Sequence, residues 1–319
     1  MPRKSSGRSK LPRSFRRTKA FLFANVLLWA GLGAWFLFQP KERQQEVSAL
    51  VHNAFDARKD ITASDVAWDL WQLYGSKDYV AGVAGGDKTH LYGGAPRVVA
   101  PPATDVRVLA NTGYVVGYSD GLGNPLWAAY RLADIDLQDS PPRPDSFMPD
   151  LRTAARIEPQ VYTNSGYDRG HLAPNYAIAT RYGQRAQEET FQMSNISPQR
   201  HALNAGVWKQ LEQRIATNYA GRFGEIWVLA GPVFGVNPEK LRRRVAIPDA
   251  FYMIVVDESD GRVRAEAFVF PQETPASVRM DDYLATVDEI ERRTGLDFLS
   301  GLPDAAENAL ESRRVERAW

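Results

Sequence analysis

Short apolar runs set the architecture of this chain. Residues 226–230 (Ile-Trp-Val-Leu-Ala) are continuously apolar and too few for a helix, so they read as a buried strand. Residues 251–256 (Phe-Tyr-Met-Ile-Val-Val) and 264–270 read as two more strands around the turn Ser259-Asp260-Gly261. Upstream, Leu109 and Tyr114 to Val116 form a strand, Gly117 and residues 121–124 a turn, and residues 126–132 a returning strand. Residues 191–196 read as a short strand. Residues 203–219 are the clearest helix, with Val207, Trp208, Leu211 and Ile215 on one face. A second helix is expected over 281–294, stopping at Gly295, and the last dozen charged residues are expected to fray. From about Val106 strands and helices give the chain a mixed α/β texture.

The N-terminus has a different texture. Eight Lys or Arg and no acid stand in residues 1–19, ahead of an apolar run over 20–38 that only Asn25 interrupts. Nineteen helical residues span about 28 Å, close to the roughly 30 Å hydrocarbon core of a bilayer. The run is long for a cleaved signal peptide and ends in Trp35-Phe36-Leu37-Phe38, where cleavage needs small residues. It therefore reads as an uncleaved signal anchor and single transmembrane helix, against the alternative of a buried core helix. The positive-inside rule keeps the basic tail in the cytoplasm and places the rest on the periplasmic side. A basic, acid-free leader also suits the mitochondrial inner membrane, with the domain facing the intermembrane space. The organisation expected is a basic tail (1–19), an anchor (20–38), a linker and helical stalk (39–104), a catalytic domain (105–303) and a charged tail (304–319).

Charge and residue inventory narrow the chemistry. The chain carries 39 Lys and Arg against 38 Asp and Glu, and without the eight N-terminal cations the remainder is 31 against 38. No bulk positive charge marks residues 20–319 as a nucleic-acid binder, so such a function needs a local site. There is no cysteine, which excludes disulfides, thiolate metal sites and thiol nucleophiles. Only four histidines are present, His52, His90, His171 and His201, and no H-E-x-x-H, G-x-S-x-G or P-loop motif. The best single-histidine candidate is His171, in Tyr167-Asp168-Arg169-Gly170-His171. A neutral imidazole can take a proton from water. A structural histidine beside a turn reads equally well from these residues alone. Asp168 and Arg169 can fix the loop, and Gly170 permits an unusual backbone angle beside the base. On the strong helix, Asn204, Trp208 and Glu212 follow one slanting stripe. An amide oxygen suits a hard ion such as Mg²⁺, although an asparagine there can also serve as a helix cap.

Tyr167 to Pro174 (Tyr-Asp-Arg-Gly-His-Leu-Ala-Pro), Ser194 to Gln199 (Ser-Asn-Ile-Ser-Pro-Gln) and Leu203-Asn204-x4-Trp-x2-Leu-Glu212 resemble the DNA/RNA non-specific endonucleases. These are the endonuclease G-like ββα-metal nucleases, and the resemblance implies an α+β fold with a mixed or antiparallel sheet. The resemblance continues through Ala230-Gly231-Pro232-x-Phe234, Ile247 to Tyr252 and Val287 to Phe298, and covers roughly 105–303. It implies that His171 is the general base and Asn204 the one direct protein ligand of Mg²⁺, with Mn²⁺ as the alternative ion. It implies that Glu212 holds the ion's water and that Asn195 and Arg169 support the site and the phosphate. It further implies that Arg143 contacts the scissile phosphate. Two departures reduce local positive charge. Ala216 stands where members often carry Arg, with Arg214 and Arg200 the nearby substitutes, and Met253 stands where members often carry Lys. The implied activity is sequence-non-specific hydrolysis of DNA and/or RNA. The expected partners are nucleic acid, the membrane through the N-terminal helix, and a second copy in a homodimer. An idle anchored binding module and a phosphodiesterase on another substrate are the alternatives.

Overall fold

The computed structural model describes residues 13–75, 79–81, 90–101, 105–135, 139–259 and 261–319, without the side chains of residues 13–20, 42, 73–75 and 81. Two units emerge, Met1–His52 and Asn53–Trp319. The first consists of helix Arg13–Leu37 and most of helix Lys41–Asn53. From Phe21 to Leu37 the helix turns large apolar side chains outward, with Trp29 70% exposed. That exposure excludes a buried core helix. Among the described residues, however, no helix is long and apolar enough to cross a membrane. The single transmembrane helix expected over 20–38 is thus not found among the described residues.

The second unit is built on one large antiparallel sheet. Its strands run in the order Val80–Ala81, Arg262–Pro271, Ala250–Ser259, Glu225–Val233, Asn124–Ala133, Val115–Ser119 and Arg107–Ala110. A short strand, Leu284–Ala285, adds to Arg262–Pro271. The central pair is in register over its whole length, from Ala250 opposite Pro271 to Ser259 opposite Arg262. Side chains alternate across it. Phe251, Met253 and Val255 enter one core, while Tyr252, Ile254 and Val256 enter the other. Both faces are covered, which is why these strands read as continuous apolar runs.

The first core lies under helix 201–223, whose Leu203, Val207, Trp208, Leu211 and Ile215 are fully buried. Trp208 packs edge-on against Phe251 at 5.6 Å. The helix is not regular: Asn204–Trp208 and Ile215–Tyr219 are π-turns. Gly206 is non-helical, and a Cβ there would stand 2.6 Å from the Cα of Ala276, so no larger residue fits. The second core is closed by Val287, Ile290, Phe298 and Leu310.

Four expectations change. Leu109 and residues 114–116 do not share one strand: Arg107–Ala110 and Val115–Ser119 pair antiparallel, and Gly117 lies within the second of them and not in a turn, where a Cβ would meet the Trp127 ring. Residues 191–196 are not a strand; Met193–Asn195 is a 3-10 turn and the strand is Ile196–Gln199. The later helix is only Val287–Thr294, capped by the Thr286 hydroxyl accepting the Glu289 N–H at 3.0 Å. It does end at Gly295 in the left-handed conformation, as expected. The C-terminal tail is not frayed, because Asp304–Glu311 is a helix and Val315, Ala318 and Trp319 are buried in the first core. Apolar burial of Trp319 outweighs the charge of its neighbours.

The stalk residues from Asn53 onward also join the second unit. Helix Ala63–Gly75 presents Asp69, whose two oxygens accept from Arg222 Nε and Nη2 at 2.7 and 2.6 Å.

Candidate active site

A two-stranded ribbon carries the histidine. Asp168–His171 pairs antiparallel with Ile196–Gln199, placing His171 opposite Ile196 and Gly170 opposite Ser197. Gly170 is needed for space and not for an unusual angle: a Cβ there would lie 2.0 Å from Gln199 Oε1. Helix 201–223 follows directly, so two strands and a helix surround one cleft of about 590 Å³. Arg143, Arg169, His171, Asn204 and Glu212 all line it.

His171 sits between two rings, Phe147 at 5.5 Å and Phe191 at 5.1 Å. Its Nε2 is buried and has no hydrogen-bond partner. Burial, and secondarily the Arg143 guanidinium, push its pKa down to about 3. The imidazole is therefore neutral, the form that can accept a proton. Arg143 also lies over the Phe191 ring at 5.0 Å. Arg169 donates to the Pro159 carbonyl at 2.7 Å and to Thr163 Oγ1 at 3.3 Å, which fixes its guanidinium beside the base.

Across the cleft, Glu212 has one buried carboxylate oxygen without a partner. Burial raises its pKa to about 8, although Trp208 and Lys209 beside it favour the charged form. An unpartnered buried carboxylate is costly unless a cation joins it. Asn204 donates its Nδ2 to Asp168 Oδ2 at 2.9 Å. That bond orients the amide and leaves its oxygen as an acceptor. A neutral amide oxygen and an unpartnered carboxylate are hard oxygen donors, and they fit a small divalent ion that keeps most of its waters.

Asn195 is the exception among the expected site residues. It does not line the cleft. It is fully buried, accepts from the Ala173 N–H at 2.9 Å, and donates to the Ala173 and Thr190 carbonyls at 3.0 Å each. It positions the chain leaving His171 and touches nothing that could react. The slanting stripe Asn204–Trp208–Glu212 does not share one face, since Trp208 turns into the core while Asn204 and Glu212 face the cleft.

The two departures are buried as well. Ala216 is 2% exposed, with its carbonyl accepting from Arg181 Nη2 at 2.7 Å. Met253 is fully buried in the core. Neither proposed substitute reaches the cleft: Arg200 pairs with Glu273 at 3.1 Å, and Arg214 bonds the Trp319 carbonyl. Lys209 lines the cleft instead, as do Asn175, Tyr176 and Gln213. Sequence reasoning missed these and the aromatic pair around the imidazole. The i+5 and i+3 spacings of Lys209 from Asn204 and to Glu212 were the available signal. The other histidines lie elsewhere. His201 is 81% exposed at its side chain and bonds Asp168 through Nδ1 at 2.9 Å. His90 stacks edge-on with Tyr182 at 5.4 Å, and His52 ends helix Lys41–Asn53.

Comparison with known proteins agrees with this geometry. The DNA/RNA non-specific endonuclease family matches residues 93–305. A nuclease of Nostoc sp. is 30% identical over 238 residues, covering 70% of this chain and 85% of that protein. A nuclease of Serratia marcescens is 32% identical over 197 residues, covering 59% and 73%. Human mitochondrial endonuclease G is 28% identical over 205 residues, covering 59% and 68%. Among solved structures, EndoG in its complex with EndoGI superposes with a TM-score of 0.56 at 26% identity, covering 63% of this chain and 89% of that one. The match spans the ribbon, the cleft helix and the large sheet, and the chain belongs to the DNA/RNA non-specific endonuclease family, a family of phosphodiester hydrolases.

Proposed function

We propose that this chain is a Mg²⁺-dependent endonuclease that cuts DNA and/or RNA without sequence preference, held at a membrane by its N-terminal helix. The observation that carries the catalytic part is the pair of unpartnered buried atoms facing one cleft, His171 Nε2 and Glu212 Oε1. Asn204 would hold the ion directly, and Glu212 would hold its hydration shell. When bound, Mg²⁺ offsets the negative charge that develops on the phosphoryl group and on the leaving 3′-oxygen.

His171 takes the proton of the attacking water at Nε2, the atom left free for it. Phe147 and Phe191 flank the ring, and the burial they contribute favours its neutral form. Arg143 and Arg169 contribute positive charge on the cleft wall, where a phosphate would sit. These groups address the phosphate and not base edges, which accounts for cutting without sequence preference. In-line displacement leaves a 5′-phosphate.

The membrane part rests on the basic segment 1–19 and on the outward-facing apolar surface of the helix that follows. It places the nuclease unit on the periplasmic side, or in the intermembrane space if the host compartment is mitochondrial. Assembly as a homodimer belongs to the same reading.

One experiment tests both parts. Sealed right-side-out membranes carrying the full chain are given plasmid outside, with Mg²⁺ or with EDTA. Nicking with Mg²⁺ and none with EDTA is expected. Nicking in EDTA would contradict the metal, and nicking only after detergent would contradict the orientation.

A further inference from the structure

Far from the cleft, five carboxylates converge. Asp288 and Glu291 stand three apart on helix Val287–Thr294, and Glu307 and Glu311 stand four apart on helix Asp304–Glu311. Each pair therefore shares one helix face. Asp297 lies just beyond the first helix. One ligand oxygen from each of Asp288, Glu291 and Glu311 lies within 4.8 Å of the others, and the same holds for Asp297, Glu307 and Glu311. Glu311 belongs to both groups. Like charges at such spacing repel, so the sequence gains nothing from this arrangement unless something positive joins it.

Glu311 itself shows what is missing. It is 6% exposed, and its Oε1 is buried without a hydrogen-bond partner. Burial and four neighbouring carboxylates push its pKa up to about 8. Glu291 is better served, because its Oε1 accepts the Phe298 N–H at 2.7 Å, which fixes it in place. Arg97 offsets a part of the charge at Glu307.

We propose that this pocket binds one calcium-class divalent cation seated on Glu311, which ties helix Val287–Thr294 to helix Asp304–Glu311. Oxygens on opposite sides of Ca²⁺ stand about 4.6–5.2 Å apart, and those around Mg²⁺ about 4.0–4.2 Å. The oxygens of each group lie within 4.8 Å of one another, close enough to share one ion, and a set of carboxylates suits the flexible shell of Ca²⁺ better than the strict octahedron of Mg²⁺. Three carboxylates would supply part of the shell and water the rest. Glu307 and Glu311 lie beyond the family match at 93–305, whereas Asp288, Glu291 and Asp297 lie within it. The site's consequence is structural. The helix it ties down precedes Ala318 and Trp319, which are buried in the core under the cleft helix.

The test uses the full chain, stripped with EDTA and exchanged into metal-free buffer at neutral pH. Calorimetric titration with CaCl2 should show a site that persists in Asn204→Ala and is lost in Glu311→Gln. Wild-type Tm should rise by roughly 5–10 °C at Ca²⁺ about a hundredfold above Kd, and Glu311→Gln should show no rise. Glu311→Gln should cleave DNA at the wild-type rate, since it lies outside the cleft. Asp288→Asn, with Glu311 intact, is a second variant and should weaken Ca²⁺ binding. Three results would overturn the proposal: no Ca²⁺ binding by wild type at millimolar concentration, wild-type binding by Glu311→Gln, or loss of all binding in Asn204→Ala.

Discussion

The two ends of helix 201–223 handle buried charge in opposite ways. At its C-terminal end, Arg222 donates to both oxygens of Asp69 and, through Nη1, to Asn218 Oδ1 at 2.9 Å. The side chains of Arg222 and Asp69 are 1% and 8% exposed. Back toward its N-terminal end, at the middle of the helix and about 15 Å away along the axis, Glu212 keeps a buried oxygen with no partner. His171 across the cleft does the same with a nitrogen. One end spends its polar groups on each other and closes the fold over helix Ala63–Gly75. The other leaves them available to a cation, a water and a phosphate. Unpaired buried atoms call for something that completes them, and these two face one cleft that a cation, a water and a phosphate can enter.

The comparison breaks most visibly at the closed end. Asp69→Ala leaves a buried guanidinium alone, and such losses cost about 3–5 kcal/mol. Urea unfolding should show a drop of that size, while the cleavage rate of the folded fraction stays unchanged. A matching fall in that rate would mean that the two ends are coupled.

At the open end, Asp168 is the positioning residue to perturb. Its Oδ2 accepts from Asn204 Nδ2, and His201 Nδ1 lies at the same 2.9 Å distance. Groups that orient a metal ligand typically control about 10–100-fold in metal affinity. Asp168→Ala should shift the Mg²⁺ dependence of cleavage by that factor and recover kcat at saturating Mg²⁺. Asp168→Asn keeps an acceptor and should lose less. Loss of kcat that Mg²⁺ cannot restore would place Asp168 in the chemistry itself.

A smaller effect distinguishes the ends by pH. Imidazole in the unfolded chain takes its proton near pH 6.5, whereas folded His171 stays neutral down to about pH 3. Between those values the unfolded state binds one more proton, so stability falls as pH drops through this window. The slope is up to about 1.4 kcal/mol per pH unit. Unfolding free energies measured at pH 7, 6 and 5 should therefore fall more steeply for wild type than for His171→Gln. Parallel curves would show that the folded imidazole titrates normally.

Much of this was legible in the sequence. Strands buried on both faces announce themselves, because neither face needs polar residues; residues 226–230 and 251–256 are of that kind. Gly295 was legible as a helix stop because only a left-handed residue ends a helix that way. His171, Asn204, Glu212, Arg143 and Arg169 were readable through their motifs and do converge on one cleft. What failed depended on distant packing. Residues 191–196 have strand-like composition, but Phe191 is used against His171 and Phe147, and Met193–Asn195 must turn to bring Ile196 opposite His171. The start at Thr286 was hidden by acidic residues that suit a helix equally well five positions earlier. The buried tail was missed because Ala306, Leu310 and Trp319 lie among charges, and only the tertiary fold supplies the surface they cover. Asn195 carries the family motif, yet its role is scaffold, which no single sequence reveals.

The most direct test of the account is single-turnover cleavage by His171→Ala and His201→Ala, measured side by side at saturating Mg²⁺. A general base contributes typically about 10²–10⁴-fold in rate. His171→Ala should lose that much with nucleic-acid affinity nearly unchanged, because the base acts on water and not on the phosphate backbone. His201→Ala, exposed and tied only to Asp168, should keep most of its rate. If His171→Ala cleaves at the wild-type rate while His201→Ala is inactive, the base has been assigned to the wrong histidine.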